Sequence, residues 1–395
     1  MIVQPKVKGF MCTTAHPAGC RAAVQKQIDY VKSQPKTKGP KKVLVIGSSM
    51  GYGMASRIAV TYSCDADTIG VIFDKPGKEK RTGSAGWYNT AAFEEIAAAD
   101  GYYAKSVNGD AYSQEVKDET IELIKKDFGK VDLVIYSIAA PRRKAPDGVT
   151  YRSVLKTTGE EYSNQTIDLM TNEISVVTIP PATEEEINDT IKVMGGEDWK
   201  LWMQALSDAD VLSDNAVTVA YAYIGPELTH PIYYHGSIGE AKQHLYRTAD
   251  ELNRELSDVT AYVSVNKALV TQSSAAIPIV PLYMAILLKI MSEKGNDEGC
   301  IEQMYRMLHD RLYNPSGVPT DDENRIRMDD YELSDDVQNE MNDIWEKIRN
   351  GEGREYIDID RYWKDFYEIF GFGIDGVDYE ADVDIQVPIP SLDDE

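Results

Sequence analysis

Residues 42–60 read KVLVIGSSMGYGMASRIAV: a short aliphatic run, glycines at 47, 51 and 53, and then a stretch with helical spacing. Such a run predicts a strand, a phosphate-binding loop and a helix that opens toward the loop. Gly47, Gly51 and Gly53 make the spacing G-x3-G-x-G, and Ser48, Ser49, Met50 and Tyr52 complete the loop. Glycine lets the backbone approach a pyrophosphate, while the N-terminus of the next helix favours the negative charge. The following aliphatic run, DTIGVIFD, closes on Phe73 and Asp74 about 20 residues later, where a carboxylate can accept the hydroxyls of an adenosine ribose. Glycines alone fit any tight turn. Set between VLVI and a helix, with an acidic strand end to follow, they point to nucleotide binding.

Outward from this unit, apolar β-branched runs continue to alternate with helical patterns: the segment near Trp87 to Ala99, YYAKSVNGD, SQEVKDETIELIKKDFG and VDLVIYSIAAP. That alternation builds right-handed βαβ units and a parallel sheet. From Arg142 to Ala182 the sequence turns polar and turn-rich, an excursion with short strands on the C-terminal rim of the sheet. Helical patterns resume over 184–193 and 199–206. AVTVAYAYIGPE then reads as a fifth strand, 238–256 as a long helix and TAYVSVNKALVT as a sixth strand. Six strands suit the order 3-2-1-4-5-6.

The expected fold is therefore α/β, a Rossmann-like doubly wound parallel sheet with N-terminal, rim and C-terminal elaborations. No repeat or sharp composition break marks an independent domain. The chain reads as one elaborated domain: a nucleotide-binding core over 41–275, a substrate-side rim insertion over 142–182, and a helical and acidic extension over 276–395. Within the extension, helices are expected over 282–293 and 301–313, and EADVDIQVPIPSLDDE is expected to end as flexible chain.

With 41 basic against 65 acidic side chains the net charge is -24, which removes the electrostatic basis for nonspecific DNA or RNA binding. An anionic substrate would need a locally basic site. The N-terminus lacks the apolar run of a signal peptide, and AAIPIVPLYMAILLKIM is broken by two prolines and a lysine, so no membrane association and a cytoplasmic location are expected. Cys12, Cys20, Cys64 and Cys300 form no CxxC pair and read as reduced thiols. CTTAHPAGC spaces Cys12, His16 and Cys20 by four, but Pro17 disfavours a helical His16 and no fourth ligand is near. A turn into a helix is the expectation, with no metal.

Asp74 would repel a 2'-phosphate and so favours NADH over NADPH, although Lys75, Lys78, Lys80 and Arg81 lie close enough in sequence to neutralise one. In NGDAY, Asp110 and Ala111 would border the adenine; in SIAA, Ile138 and Ala139 would line its ribose. YYHGSIGEAK places Tyr233 or Tyr234 near Lys242, the residue types of an acid and its helper. On one unbroken helix, nine steps of about 1.5 Å and about 100° would put Tyr233 and Lys242 on opposite faces, about 13 Å apart along the axis. The pair works only if the chain bends, and Gly236 and Gly239 allow a turn with a helix starting at Ser237.

GSSMGYG, GWYN, YSIAAP, KVMGGEDW, YAYIGPE, the Tyr-x8-Lys arrangement, SVNKALVT, IPIVPLY and EKGNDEGCIEQ together resemble the trans-2-enoyl-CoA reductase family, which includes the larger bacterial enoyl-ACP reductases. The similarity runs from MIVQPKVKGF to ENRIRMDDYEL. It implies an NADH-dependent, usually monomeric enzyme that saturates the 2,3 double bond of an acyl-CoA or acyl-carrier-protein thioester in fatty acid synthesis. Within it, Tyr233 rather than Tyr234 is implied as proton donor, Lys242 as the lysine contacting the cofactor, Tyr223 as a substrate contact, and Leu269, Val270 and Thr271 as the strand end beside the nicotinamide.

The chemistry asks for such a set. Hydride addition at the β-carbon pushes charge onto the thioester oxygen, so a donor must stabilise an enolate absent from the substrate. A Lys242 ammonium nearby would favour the phenolate and tune proton transfer. Arg142, Arg143 and Lys144 could attract CoA phosphates or simply form a solvated loop. A carbonyl reductase and a nucleotide-binding regulator without turnover remain the competing readings.

Overall fold

The aliphatic runs become buried parallel strands in the computed structural model, which describes residues 1–8, 11–271, 274 and 277–392. A small hairpin of β1 (Val7–Lys8) and β2 (Met11–Cys12) leads into α1 (Pro17–Ser33). The dinucleotide unit follows as β3 (Lys42–Ile46), α2 (Gly51–Cys64), β4 (Asp67–Ile72), α3 (Ala85–Ala99), β5 (Ala104–Asn108), α4 (Gln114–Asp127) and β6 (Val131–Tyr136). The rim excursion forms two hairpins, β7 (Arg142–Lys144) with β8 (Thr150–Arg152) and β9 (Tyr162–Asp168) with β10 (Glu173–Ile179). Then come α5 (Glu184–Met194), α6 (Glu197–Asp208), β11 (Leu212–Ala222), α7 (Ser237–Glu255) and β12 (Val259–Val265). The extension contains α8 (Val280–Lys294), α9 (Cys300–Arg306) continued by a π-helical stretch to Leu312, β13 (Arg325–Arg327), α10 (Asp335–Arg349) and α11 (Ile359–Glu368).

The central sheet is parallel throughout, in the order β5-β4-β3-β6-β11-β12-β13. Its first six strands take the predicted 3-2-1-4-5-6 order. Alternation within one strand shows how the layers are held. Val43 and Val45 of β3 pack with Ile28 of α1, Ile58 of α2 and Met304 of α9, while Leu44 and Ile46 pack on the other face with Trp202 of α6 and Leu245 of α7. Each such side chain contributes about 1.5–3 kcal/mol on burial, so both faces must be covered. The strand order reverses between β3 and β6, and the crevice at their C-terminal ends is where such sheets bind ligands.

Three expectations need correction. The sheet has a seventh strand, β13, drawn from the extension beyond the expected core boundary at 275; the boundary residues Ala275 and Ala276 lie outside the described residues. Three residues, RIR, are too few to show a period. The acidic region also holds two helices that were not expected, α10 and α11. Finally, the segment expected to be flexible is packed: Ile385 and Ile389 are buried, Trp87 Nε1 donates to the Val387 carbonyl at 2.7 Å, and Ser391 Oγ donates to Glu94 at 2.9 Å. It also covers an edge of the sheet, since the Ser106 N–H of β5 donates to Ser391 Oγ at 3.0 Å. Only Asp393, Asp394 and Glu395 of that segment lie outside the described residues.

Candidate active site

The glycine loop has the backbone it was expected to need. Gly47 has φ +83°, and a Cβ there would sit 2.1 Å from the Ser137 carbonyl oxygen; one on Gly53 would sit 1.9 Å from the Gly47 carbonyl oxygen. Neither position tolerates a side chain. α2 starts at Gly51 after Met50, whose side chain makes no cap, so the first N–H groups of the helix are open to an anion. Asp74 stands just past β4, with Ser84 Oγ donating to it at 2.7 Å. Burial raises its pKa, while the hydroxyls of Ser84 and Ser49 oppose the shift. These features fit a dinucleotide with free ribose hydroxyls. Lys75, Lys78, Lys80 and Arg81 are exposed and stay out of the cavity wall, as a solvated loop would.

A cavity of about 1300 Å³ opens from this loop across the C-terminal ends of the strands. Gly47, Ser49, Met50, Gly51, Tyr52, Phe73 and Asp74 line it, as do Asp110, Ala111, Ile138 and Ala139. Ser48 and Gly53 do not; they lie buried behind the loop and shape it. Phe73 is 75% exposed beside Asp74, a large apolar surface available for a planar group to cover. On the far side stand Tyr223, Tyr233, Lys242, Leu269, Val270 and Thr271.

The chain bends between Tyr233 and Lys242. Tyr233 N–H donates to the Thr229 carbonyl at 2.9 Å and Gly236 N–H to the Tyr233 carbonyl at 3.2 Å, closing a compact turn. Gly236 caps α7, which begins at Ser237 and carries Lys242 in its second turn. Rim residues fasten the junction: Ser237 N–H donates to the Lys156 carbonyl at 2.9 Å, and Ser237 Oγ to the Val154 carbonyl at 2.6 Å. Tyr234 instead packs among His230 and His235 and is not part of the cavity wall.

Tyr233 and Tyr223 meet edge to face, ring centroids 4.7 Å apart. Tyr233 Oη has no hydrogen-bond partner among the described residues, whereas Tyr223 Oη donates to Glu332 at 2.8 Å. Burial pushes the Tyr233 phenol up to about 12 and the Lys242 amine down to about 8. The ammonium does not reach the phenol as the sequence suggested. Its partner is the Tyr221 carbonyl, at 3.2 Å, because Lys242 faces the end of β11. At the rim, Arg142 and Lys144 border the cavity, but Arg143 is buried and donates to the Lys192 carbonyl at 2.7 Å, so it is not available to a phosphate. His16 caps α1, its Nδ1 accepting from Gly19 N–H at 3.1 Å.

Three family models match the chain: NAD(P)H binding domain of trans-2-enoyl-CoA reductase over 2–79, trans-2-enoyl-CoA reductase catalytic region over 81–313, and enoyl reductase FAD binding domain over 320–383. An enoyl-(acyl-carrier-protein) reductase (NADH) from Coxiella burnetii is 56% identical, covering 99% of this chain and 98% of the relative. A trans-2-enoyl-CoA reductase (NADH) from Ruminiclostridium cellulolyticum is 53% identical over 99% of this chain and all of its own length, 100%. The chain belongs to the trans-2-enoyl-CoA reductase family. Its fold agrees: the crystal structure of Clostridium acetobutulicum trans-2-enoyl-CoA reductase in complex with NADH superposes with a TM-score of 0.94 at 46% identity, covering 98% of each chain.

Within this reductase fold, the segment matching the model named for FAD offers no pyrophosphate site at the start of its first helix, α10. Between β13 and α10 it has the acidic turn MDDYELSDD, and Asp335 and Asp336 occupy the first turn of α10, where they oppose a pyrophosphate. What the segment does supply is Glu332. Sequence reasoning missed this carboxylate, since one glutamate in an acidic stretch carries no spacing signal; only its place in ENRIRMDDYEL marked it. Tyr283, another partner of Glu332, was likewise hidden in an apolar run.

Proposed function

We propose that this reductase uses NADH to saturate the 2,3 double bond of a trans-2-enoyl thioester, with Tyr233 as proton donor. The observation that carries the assignment is a phenol without a hydrogen-bond partner among the described residues, on the wall of a cavity that also contains a dinucleotide loop. NADH supplies the hydride for the β-carbon when bound. The chain does the rest. The glycine loop and the open end of α2 hold the pyrophosphate, and the Asp74 carboxylate takes ribose hydroxyls and disfavours a 2'-phosphate. Lys242, on α7, is the donor for the nicotinamide ribose, while Leu269 to Thr271 seat the ring. Tyr233 then meets the thioester oxygen as it turns negative and donates to it, with the proton passing on to the α-carbon.

Burial suits the task. With its pKa near 12 the phenol keeps its proton until an enolate oxygen needs it. α8 walls the substrate side with Val280 and Leu288, a lining able to shield an acyl chain. We take a monomer as the working unit, as the family resemblance implies. We also read 1–395 as a single unit, because β13 of the extension completes the sheet of the core.

The test is NADH oxidation with crotonyl-CoA, with acetoacetyl-CoA and with no acceptor. Turnover is expected with crotonyl-CoA alone; turnover confined to acetoacetyl-CoA would make the chain a carbonyl reductase, and cofactor binding without turnover a regulator. Comparing kcat/KM on matched CoA and carrier-protein substrates then identifies the carrier.

A further inference from the structure

Glu332 is fully buried, yet it is neither paired with an arginine nor left unsatisfied. Its Oε1 accepts from Tyr223 Oη at 2.8 Å and from Tyr283 Oη at 2.7 Å, and its Oε2 accepts from the Ala268 N–H at 2.6 Å. Burial raises the pKa of this carboxyl, while the Ala268 N–H, the two phenols and the charge of Lys267 oppose the rise and favour the carboxylate. Each donor belongs to a different wall of the cavity. Tyr223 follows β11, Tyr283 is in the first turn of α8, and Ala268 directly precedes Leu269, Val270 and Thr271.

A phenol has one proton. At Tyr223 that proton is committed to Glu332, so Tyr223 cannot also give it to a substrate oxygen. The adjoining ring of Tyr233, 4.7 Å away, carries a hydroxyl with no partner among the described residues. We propose that Glu332 is a positioning residue for the reduction: it takes the Tyr223 proton, fixes that ring against Tyr233, and thereby leaves Tyr233 as the sole proton donor. This inference rests on the reading of Tyr233 as the acid. The C-terminal extension thus holds part of the active site in register rather than merely covering it.

The test is a double-mutant cycle on the full-length chain with NADH and crotonyl-CoA, using Glu332→Gln, Tyr223→Phe and both together. Glu332→Gln is expected to lower kcat about 10- to 100-fold, the equivalent of a hydrogen bond to a charged group, with the KM for NADH unchanged within about twofold. The double variant is expected to be no slower than the slower single one. Multiplying effects, no effect of Glu332→Gln, or an equal loss of NADH affinity would overturn the proposal. Tyr283→Phe supplies an independent check should Glu332→Gln not fold: it removes a donor but leaves the Tyr223 bond, so kcat must fall less than in Tyr223→Phe, and an equal or larger fall would also overturn it. Tyr233→Phe run alongside separates the two failures. If Tyr233→Phe still turns over, the acid assignment is at fault; if it is dead while the cycle is additive, the role of Glu332 is.

Discussion

At Tyr233 and Lys242 the removal of water drives both side chains toward their neutral forms, the phenol up to about 12 and the amine down to about 8. Both side chains line the cavity, and burial is the cause of both shifts. Tyr233→Phe is expected to lower kcat about 100- to 10,000-fold, the range of a lost general acid, and to leave the NADH dissociation constant nearly unchanged by fluorescence titration. For Lys242 the sign follows from the cation. Below about 8 it is an ammonium with a full set of donors, above it a neutral amine, so kcat/KM for NADH should fall as pH rises through about 8. Lys242→Met should be low and flat over the same range; a wild-type profile level to pH 10 would remove Lys242 from ribose binding. Sequence spacing alone could not choose Tyr233 over Tyr234, because the choice depends on which way a turn throws two neighbouring rings. It could not assign Glu332 a role, because that residue acts on three partners spread from position 223 to 283.

Gly239 shows how an element can set a residue. Alanine in a helix interior is ordinarily worth up to about 1 kcal/mol over glycine. Here a Cβ would lie 2.0 Å from the Tyr234 carbonyl oxygen and 2.4 Å from that of Tyr233, both backbone atoms of the turn that holds the acid. The clash outweighs the propensity. Gly239→Ala is expected to lower the melting temperature and, by displacing Tyr233 about 1 Å, to reduce kcat by about 100-fold. An unchanged kcat with a raised melting temperature would refute this account of the turn. Most elements could be read from the chain because their period is one-sided or their run wholly apolar, as in KVLVI. α10 was missed although Val337, Met341, Ile344, Trp345 and Ile348 make a clear buried stripe. Its remaining faces carry Asp335, Asp336, Glu340, Asp343 and Glu346, so the apolar stripe is diluted within a strongly acidic stretch. β13 offered no period to find.

Across the whole molecule, the net charge of -24 leaves Arg142 and Lys144 as local exceptions at the cavity rim, placed for an anionic carrier but exposed and therefore screened by salt. The extension adds β13 to the sheet and Glu332 to the active site, so unfolding by urea is expected to be one transition, coincident by tryptophan fluorescence and by loss of NADH binding. A chain ending at Asp382 loses the buried Ile385 and Ile389, about 3–6 kcal/mol at the usual burial values, and should melt earlier while its folded fraction still binds NADH. The same deletion bares β5. That edge has a consequence during synthesis: the strand is made early, but the serine that seals its Ser106 amide comes 285 positions later. While the ribosome makes the intervening chain, the nascent sheet presents an open rim to its neighbours, and we expect slow, chaperone-sensitive maturation to be traced to that interval.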